Sequence, residues 1–247
     1  MQILSLLATI ITGLVLGLVI NLLSDMLPED RKPECSHCSA NLKITNYFFF
    51  KPCEYCRGKQ RMRFWVVLLI YVVLAIVFWF LPPERLGLWW GLLLMAYFGI
   101  VFVIDMEHKL ILRSTSIVGV LICGYLGWRM HGFTDTLLGG ATGFAIMLAL
   151  YYFGILFTKF LSRRREEPVE EVALGFGDVN LSLILGLLLG WPGITAGLFF
   201  AVLAGGVGSG IYILINKLTG GYENFTAIPY APFLLFSAAA LIFVLPA

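Results

Sequence analysis

Long apolar stretches separated by short polar connections dominate the chain. Crossing a hydrocarbon core of about 30 Å takes roughly 20 apolar residues at a rise of about 1.5 Å each. Eight stretches approach this length and predict eight membrane-spanning helices. They cover residues 3–23, 64–82, 86–104, 114–130, 137–158, 178–190, 194–216 and 228–246. The turn signal Trp191-Pro192-Gly193 separates the sixth stretch, which is short, from the seventh.

The composition agrees with this interpretation. The 247 residues are 60% hydrophobic and 13% charged, whereas soluble domains are about 45–50% apolar and about 25% charged. So few charges cannot cover the surface of a water-soluble enzyme, and an aromatic content of 15% excludes a disordered chain. The net charge of +2 is small, and no basic run is interleaved with aromatic residues, so we expect no nucleic-acid partner. The sequence therefore predicts an all-α integral membrane protein in a lipid bilayer.

The basic residues predict an orientation. Of the 17 lysines and arginines, all but Arg85 and Arg129 fall in the odd-numbered connections between the predicted spans. By the positive-inside bias, those connections are cytoplasmic and both termini lie outside. The first stretch has no basic residue ahead of its apolar run and no small-residue cleavage site after it. We therefore expect a retained helix there rather than a signal peptide.

Four of the five cysteines lie in the first cytoplasmic connection, residues 24–63, as the two CxxC pairs Cys35/Cys38 and Cys53/Cys56. Two such pairs are typical of a tetrahedral zinc site with four thiolate ligands. Four reduced thiols in a loop are the alternative. A closed site leaves no position for water, so we expect a structural role for zinc. The predicted organisation is a first helix over 1–23, a zinc-binding loop over 24–63 and seven helices over 64–247.

Two aspartates are the candidates for catalysis. Asp105 follows the apolar run of the third span, and Asp178 opens the sixth span. The predicted topology puts both at the cytoplasmic face. Two carboxyl groups brought close in a low-dielectric site share one proton, so that one activates water and the other acts as an acid. This is the chemistry of an aspartic peptidase.

A purely structural interpretation of these residues stays open. Asp105 could extend to solvent, and Asp178 could be only a helix N-cap. Glu107 and His108 are further ionisable groups beside Asp105 and could be its partner, although solvated loop residues are the simpler interpretation.

Several motifs, in the same order along the chain, resemble those of bacterial type IV prepilin peptidases. Gly175-Phe176-Gly177-Asp178 matches the GxGD signature of membrane-embedded aspartic peptidases. The other similar segments are 174–181 around the second aspartate, 105–111 around the first, the proline motif 228–233, the paired CxxC loop and, more weakly, 17–28. In presenilin-like GxGD proteases a tyrosine usually precedes the first aspartate, where this chain has Ile104, so that branch is disfavoured.

The resemblance implies an enzyme that removes the basic leader of type IV prepilins and pilin-like type II secretion subunits at the cytoplasmic membrane. Asp105 and Asp178 would be the catalytic pair, and Gly175 and Gly177 would let the extended substrate backbone approach. Many relatives then methylate the new N-terminus with S-adenosylmethionine. The stretch 61–67 lacks the family's proline and downstream acid in the region associated with methyl transfer, which weakens that second expectation. The rival function is a proton-coupled transporter or scaffold that uses the same aspartates without hydrolysis.

Overall fold

The computed structural model describes residues 2–28, 38, 40, 55–56, 62–165, 175–219 and 229–243. These residues form eight α-helices and no strand. The helices are α1 (Gln2–Met26), α2 (Met62–Phe80), α3 (Gly87–His108), α4 (Arg113–His131), α5 (Phe133–Arg165), α6 (Phe176–Leu189), α7 (Gly193–Thr219) and α8 (Ala231–Phe243). Each helix corresponds to one predicted stretch, which confirms the all-helical prediction for the described part of the chain.

The bounds differ most at α5, which begins at Phe133 and continues to Arg165 although the apolar stretch covers only 137–158. Hydropathy predicts where a helix meets apolar surroundings, and a helix can continue beyond that point with polar residues. Five helices are long and apolar enough to cross a membrane by length and composition: Gln2–Met26, Met62–Phe80, Gly87–His108, Phe133–Lys159 and Gly193–Ile215. The chain is therefore a multi-pass membrane protein.

The chain divides into two compact units, Met1–His108 and Lys109–Ala247. In the first unit, glycines bring α1 close to α2. A Cβ atom at Gly13 would lie 2.7 Å from the carbonyl oxygen of Tyr71, and one at Gly17 would lie 3.1 Å from the Cα of Leu68. Small residues of this kind permit close backbone packing between membrane helices. The pair α1 and α2 is thus tightly packed.

Tyr71 also connects α2 to α3. Its side chain is 4% exposed, and its hydroxyl donates a hydrogen bond to the carbonyl oxygen of Met95. Gly99, one turn further along α3, leaves the space for this hydroxyl, because a Cβ there would lie 2.0 Å from it. Tyr71 is therefore a polar anchor inside an otherwise apolar core with Ile20, Val67, Ala96 and Val103.

The second unit is built around α6, which packs against α4, α5, α7 and α8. Nearly every residue of α6 from Asp178 to Leu189 is buried. The contact with α5 is made by backbone atoms: a Cβ at Gly139 would lie 2.4 Å from the carbonyl oxygen of Gly186, and a Cβ at Gly186 would lie 2.3 Å from that of Gly139. The helix ends at Gly190, whose positive φ of 65° suits a glycine.

We expect Gly186→Ala to destabilise the protein, because its methyl group would meet the backbone of α5, which cannot move aside as a flexible side chain can. Overpacking of this kind typically costs about 1–3 kcal/mol. The matched control is Gly206→Ala in α7, where a Cβ meets no atom within 4 Å. Thermal unfolding in detergent should show a lower Tm for Gly186→Ala and an unchanged or slightly higher Tm for Gly206→Ala. Equal Tm values would contradict the close packing of α5 and α6.

Candidate active site

Asp105 lies in the last turn of α3, in the first unit. It is 5% exposed, whereas the next residue, Met106, is 50% exposed. The apolar residues just before it, Val103 and Ile104, are buried as well. A carboxyl group enclosed in this way does not extend into solvent, so the interpretation of Asp105 as a solvent-facing residue is wrong. Burial of an ionisable group is costly, and such groups in membrane proteins are usually functional.

The two ionisable neighbours of Asp105 have different surroundings. Glu107 accepts a hydrogen bond from the guanidinium of Arg63 and forms an ion pair with it. This gives Glu107 a partner other than Asp105. His108 is the last residue of α3 and is half-buried.

Asp178 lies in the first turn of α6, in the second unit, and is 8% exposed. The N-cap of this helix is Gly175, and Asp178 is at position N3. The backbone N–H of Gly175 donates to Oδ2 of Asp178 at 3.3 Å, and the backbone N–H of Asp178 donates to the carbonyl oxygen of Gly175 at 3.1 Å. This is the N3 half of a capping box, and the positive end of the helix dipole stabilises a carboxylate there. Asp178 is therefore not the N-cap itself, as the structural interpretation had it.

The two glycines of the GxGD sequence have different environments. Gly175 is exposed and has an ordinary extended backbone. Gly177 is half-buried, and a Cβ there would lie 2.9 Å from the Cβ of Ile111. Ile111 is the last residue of the segment 105–111 around the first aspartate, and it packs here against the segment around the second aspartate. Between the glycines, the exposed ring of Phe176 makes an edge-on contact with Tyr151 of α5, with 5.8 Å between the ring centroids.

Tyr230 is a neighbour of Asp178 to which sequence analysis gave no role. It lies close enough to Asp178 for the charges of the two groups to interact. Its ring packs against α7, where a Cβ at Gly205 would lie 3.0 Å from the ring. Its carbonyl oxygen accepts hydrogen bonds from the N–H groups of Phe233 and Leu234 at the start of α8. The proline motif 228–233 was the one available signal, but such a motif does not tell which other segment it contacts.

The second unit thus brings Asp178, Gly175, Gly177 and Tyr230 together, and Asp105 lies in the first unit. The pairing of the two aspartates stays a prediction.

The predicted zinc ligands are only partly described. Cys38 and Cys56 are exposed and each lies in a turn, and Cys35 and Cys53 lie outside the described residues. Within the described ranges, no group of three or more His, Cys, Asp and Glu side chains is arranged to hold a metal ion. Turns suit CxxC ligand pairs, and four thiolates suit zinc, so the residues present are compatible with the predicted site. The zinc site itself stays a prediction.

Comparisons with known proteins agree with the resemblance. Residues 92–210, which include Asp105 and Asp178, match the type IV leader peptidase family. The prepilin leader peptidase/N-methyltransferase of Aeromonas salmonicida (strain A449) is 24% identical over 217 residues, which cover 85% of this chain and 69% of that protein. The proteins of the same name from Myxococcus xanthus (strain DK1622) and Legionella pneumophila are 28% and 25% identical. The Myxococcus xanthus match covers 78% of this chain and 55% of that protein. The Legionella pneumophila match covers 85% of this chain and 71% of that protein. No solved structure matches the chain.

The contact between Gly177 and Ile111 generates a test. We expect Gly177→Ala to lower the Tm, because the Cβ of Ile111 belongs to a stiff β-branched side chain and the methyl group would force the segment at 111 to move. Gly175→Ala is the matched control, since a Cβ at Gly175 has no neighbour closer than 3.5 Å. Differential scanning fluorimetry of both variants measures the effect. A Gly177→Ala protein as stable as the control would rule out this contact.

Proposed function

We propose that this chain, whose residues 92–210 match the type IV leader peptidase family, is a membrane-embedded aspartic endopeptidase that removes the basic leader of type IV prepilins and pilin-like secretion subunits. One observation carries the proposal. Each of the two aspartates in that region is a buried carboxyl group at one end of an apolar helix, Asp105 at 5% and Asp178 at 8% exposure. The names of the relatives give the reaction class, since each is called a prepilin leader peptidase/N-methyltransferase.

The proposed chemistry uses Asp105 and Asp178 as a pair that shares one proton. The ionised carboxylate takes a proton from a water molecule, and the water oxygen attacks the carbonyl carbon of the scissile peptide. The protonated carboxyl group gives its proton to the carbonyl oxygen, which forms a neutral tetrahedral intermediate. Proton transfer to the amide nitrogen then lets the C–N bond break, which leaves a carboxylic acid on the leader and a free amine on the pilin subunit.

The exposed start of α6 suits the approach of an extended substrate. Gly175 and Phe176 precede Asp178 and are both exposed, so a peptide could lie along them without displacing protein atoms. We propose that the backbone at Gly175 and Gly177 is where the substrate lies. At Gly177 the side chain of Ile111 already fills one side, which limits the approach to the other side.

The proposed arrangement in the bacterial inner membrane places all eight helices within the bilayer and both termini outside. The distribution of lysine and arginine supports it. This topology assigns the aspartate-bearing ends of α3 and α6 to the cytoplasm. The two short apolar helices, α6 and α8, have 14 and 13 residues. At about 1.5 Å per residue they are shorter than the hydrocarbon core, and their buried surfaces fit helices enclosed by others.

A second step, methylation of the new N-terminal amine by S-adenosylmethionine, is part of the proposal because each relative carries N-methyltransferase in its name. S-Adenosylmethionine would supply an electrophilic methyl group to that amine. We assign none of the described residues to its binding.

A proton-coupled transporter or scaffold is the rival from another class. Both functions use buried carboxyl groups, and the family match favours the peptidase.

Peptide cleavage by aspartate variants tests the proposal. We expect Asp105→Asn and Asp178→Asn each to lower the rate of leader removal by about 10²–10⁴-fold or more, because an amide can neither take up nor donate the proton. The measurement is cleavage of a purified prepilin by the reconstituted protein, read by mass spectrometry, which also detects the one-methyl mass increase expected with S-adenosylmethionine.

Asp135→Asn is the matched control, since Asp135 is exposed in the first turn of α5 and lies on the opposite predicted face. It should cleave at the wild-type rate. Cleavage that persists in either Asp105→Asn or Asp178→Asn would remove that aspartate from the mechanism, and absence of cleavage by the wild-type protein would favour the rival function.

The zinc site is proposed with all four cysteines of the first loop as ligands and a purely structural role. Elemental analysis of the purified protein should find about one zinc ion per chain, the number for one closed four-ligand site. Cys35→Ala and Cys53→Ala should each remove most of it, and Cys123→Ala, in the buried centre of α4, should not. Equal zinc content in all four proteins would exclude the site.

A further inference from the structure

Three charged residues of the first unit meet at the ends of its helices. Arg63 is the second residue of α2, and its two terminal nitrogens donate to different acceptors: Nη1 to Oε2 of Glu107 near the end of α3, and Nη2 to Oδ1 of Asp25 near the end of α1. The side chains of Arg63, Asp25 and Glu107 are 17%, 25% and 28% exposed. One guanidinium therefore connects the three helices described in this unit.

The backbone that carries Arg63 is itself fixed. The side-chain amide of Asn21, which is fully buried in α1, donates to the carbonyl oxygen of Gly17 at 2.9 Å and to that of Phe64 at 3.3 Å. The second bond ties the first turn of α2 to α1 at the residue next to Arg63. Because the start of α2 is anchored in this way, the ion pair between Arg63 and Glu107 restrains α3 rather than α2.

A second anchor holds α3 on the other side of Asp105. Tyr71 of α2 donates to the carbonyl oxygen of Met95, and its hydroxyl fits against Gly99. Along the axis of α3, Asp105 lies about 9 Å beyond Gly99 and about 3 Å before Glu107, at about 1.5 Å per residue. Both anchors belong to α2. Asp105 is therefore located between two attachment points, and Arg63 provides the one nearer to it.

The geometry of the bridge requires arginine. A guanidinium presents several N–H donors in a rigid planar fork and can bind two carboxylates with separate nitrogens, whereas an ammonium group is a point charge on a flexible stem. The position of a basic residue near a predicted span also contributes to orientation, and lysine serves that purpose as well as arginine. Arg63→Lys therefore keeps the positive charge that orients the chain but removes the simultaneous binding of Asp25 and Glu107, so this variant distinguishes the two roles.

We propose that Arg63 is a positioning residue for Asp105: by binding Asp25 and Glu107 together it fixes the end of α3 and keeps the Asp105 carboxyl group in its buried position. The inference rests on the proposed function for the role of Asp105 in peptide hydrolysis. Without the guanidinium, the two carboxylates lose the group that joins them, and the last turn of α3 loses this attachment to α1 and α2.

Thiol labelling tests the positional part without any catalysis. Asp105→Cys is made alone and with Arg63→Gln, and site-resolved mass spectrometry follows alkylation in detergent. We expect the thiol at position 105 to react slowly in the single variant and several-fold faster in the double variant. The native thiol of Cys123, which is fully buried in the second unit, reports on general unfolding and should react equally slowly in both. Equal rates at position 105 would overturn the proposal.

Steady-state kinetics test the catalytic part. Arg63→Gln and Arg63→Lys in the otherwise unchanged protein should both lower kcat for leader removal while KM changes little, the pattern of an interaction that serves the transition state rather than substrate binding. Arg129→Gln, an exposed residue of α4 on the opposite predicted face, is the matched control and should leave kcat unchanged. An Arg63→Lys protein with the wild-type kcat would overturn the proposal and would leave Arg63 only the role of orienting the chain in the membrane. If Asp105→Asn still cleaves prepilin, the proposed function of Asp105 fails, but the labelling rates at position 105 still test whether Arg63 holds that residue in place. Failure of the proposed function is therefore distinguishable from failure of this inference.

Discussion

Backbone contact between Gly139 of α5 and Gly186 of α6 is the constraint on which the second unit depends. Inside a bilayer, apolar side chains gain little from leaving lipid, so helices associate mainly through close packing and hydrogen bonds. Glycine permits that packing because it lets carbonyl groups of one helix touch the backbone of the next. The short helix α6 can then lie among four others, and its first turn carries Asp178 to a buried position.

The first unit uses a different combination of forces. Glycines bring α1 against α2, but the position of α3 depends on polar anchors, the hydroxyl of Tyr71 and the guanidinium of Arg63. A hydrogen bond or ion pair is directional and fixes a helix along its axis, whereas apolar contacts permit sliding. This matters because Asp105 belongs to α3, and in the proposed mechanism its carboxyl group has to be held within about 0.5 Å of its productive position.

The sequence predicted the helices well because apolar runs of this length have few alternative structures. Their number and order in the described residues agree with the prediction, and the largest error was at α5, where the helix continues to Arg165 beyond its apolar stretch. The side-chain contacts between residues that are distant in the sequence were not predictable. Arg63 was one of many basic residues used to orient the chain, and nothing in its neighbourhood in the sequence indicates Asp25 or Glu107, which lie 38 and 44 positions away. Tyr230 and Ile111 were likewise parts of motifs whose contacts depend on folding.

The enclosure of α6 also affects how the protein responds to its lipid environment. A helix that faces lipid tilts or shifts when its apolar length differs from the thickness of the bilayer. Because α6 has 14 residues and almost no surface left to meet acyl chains, its depth follows its protein neighbours instead. The Asp178 carboxyl group should therefore keep its local surroundings in thin and thick membranes alike.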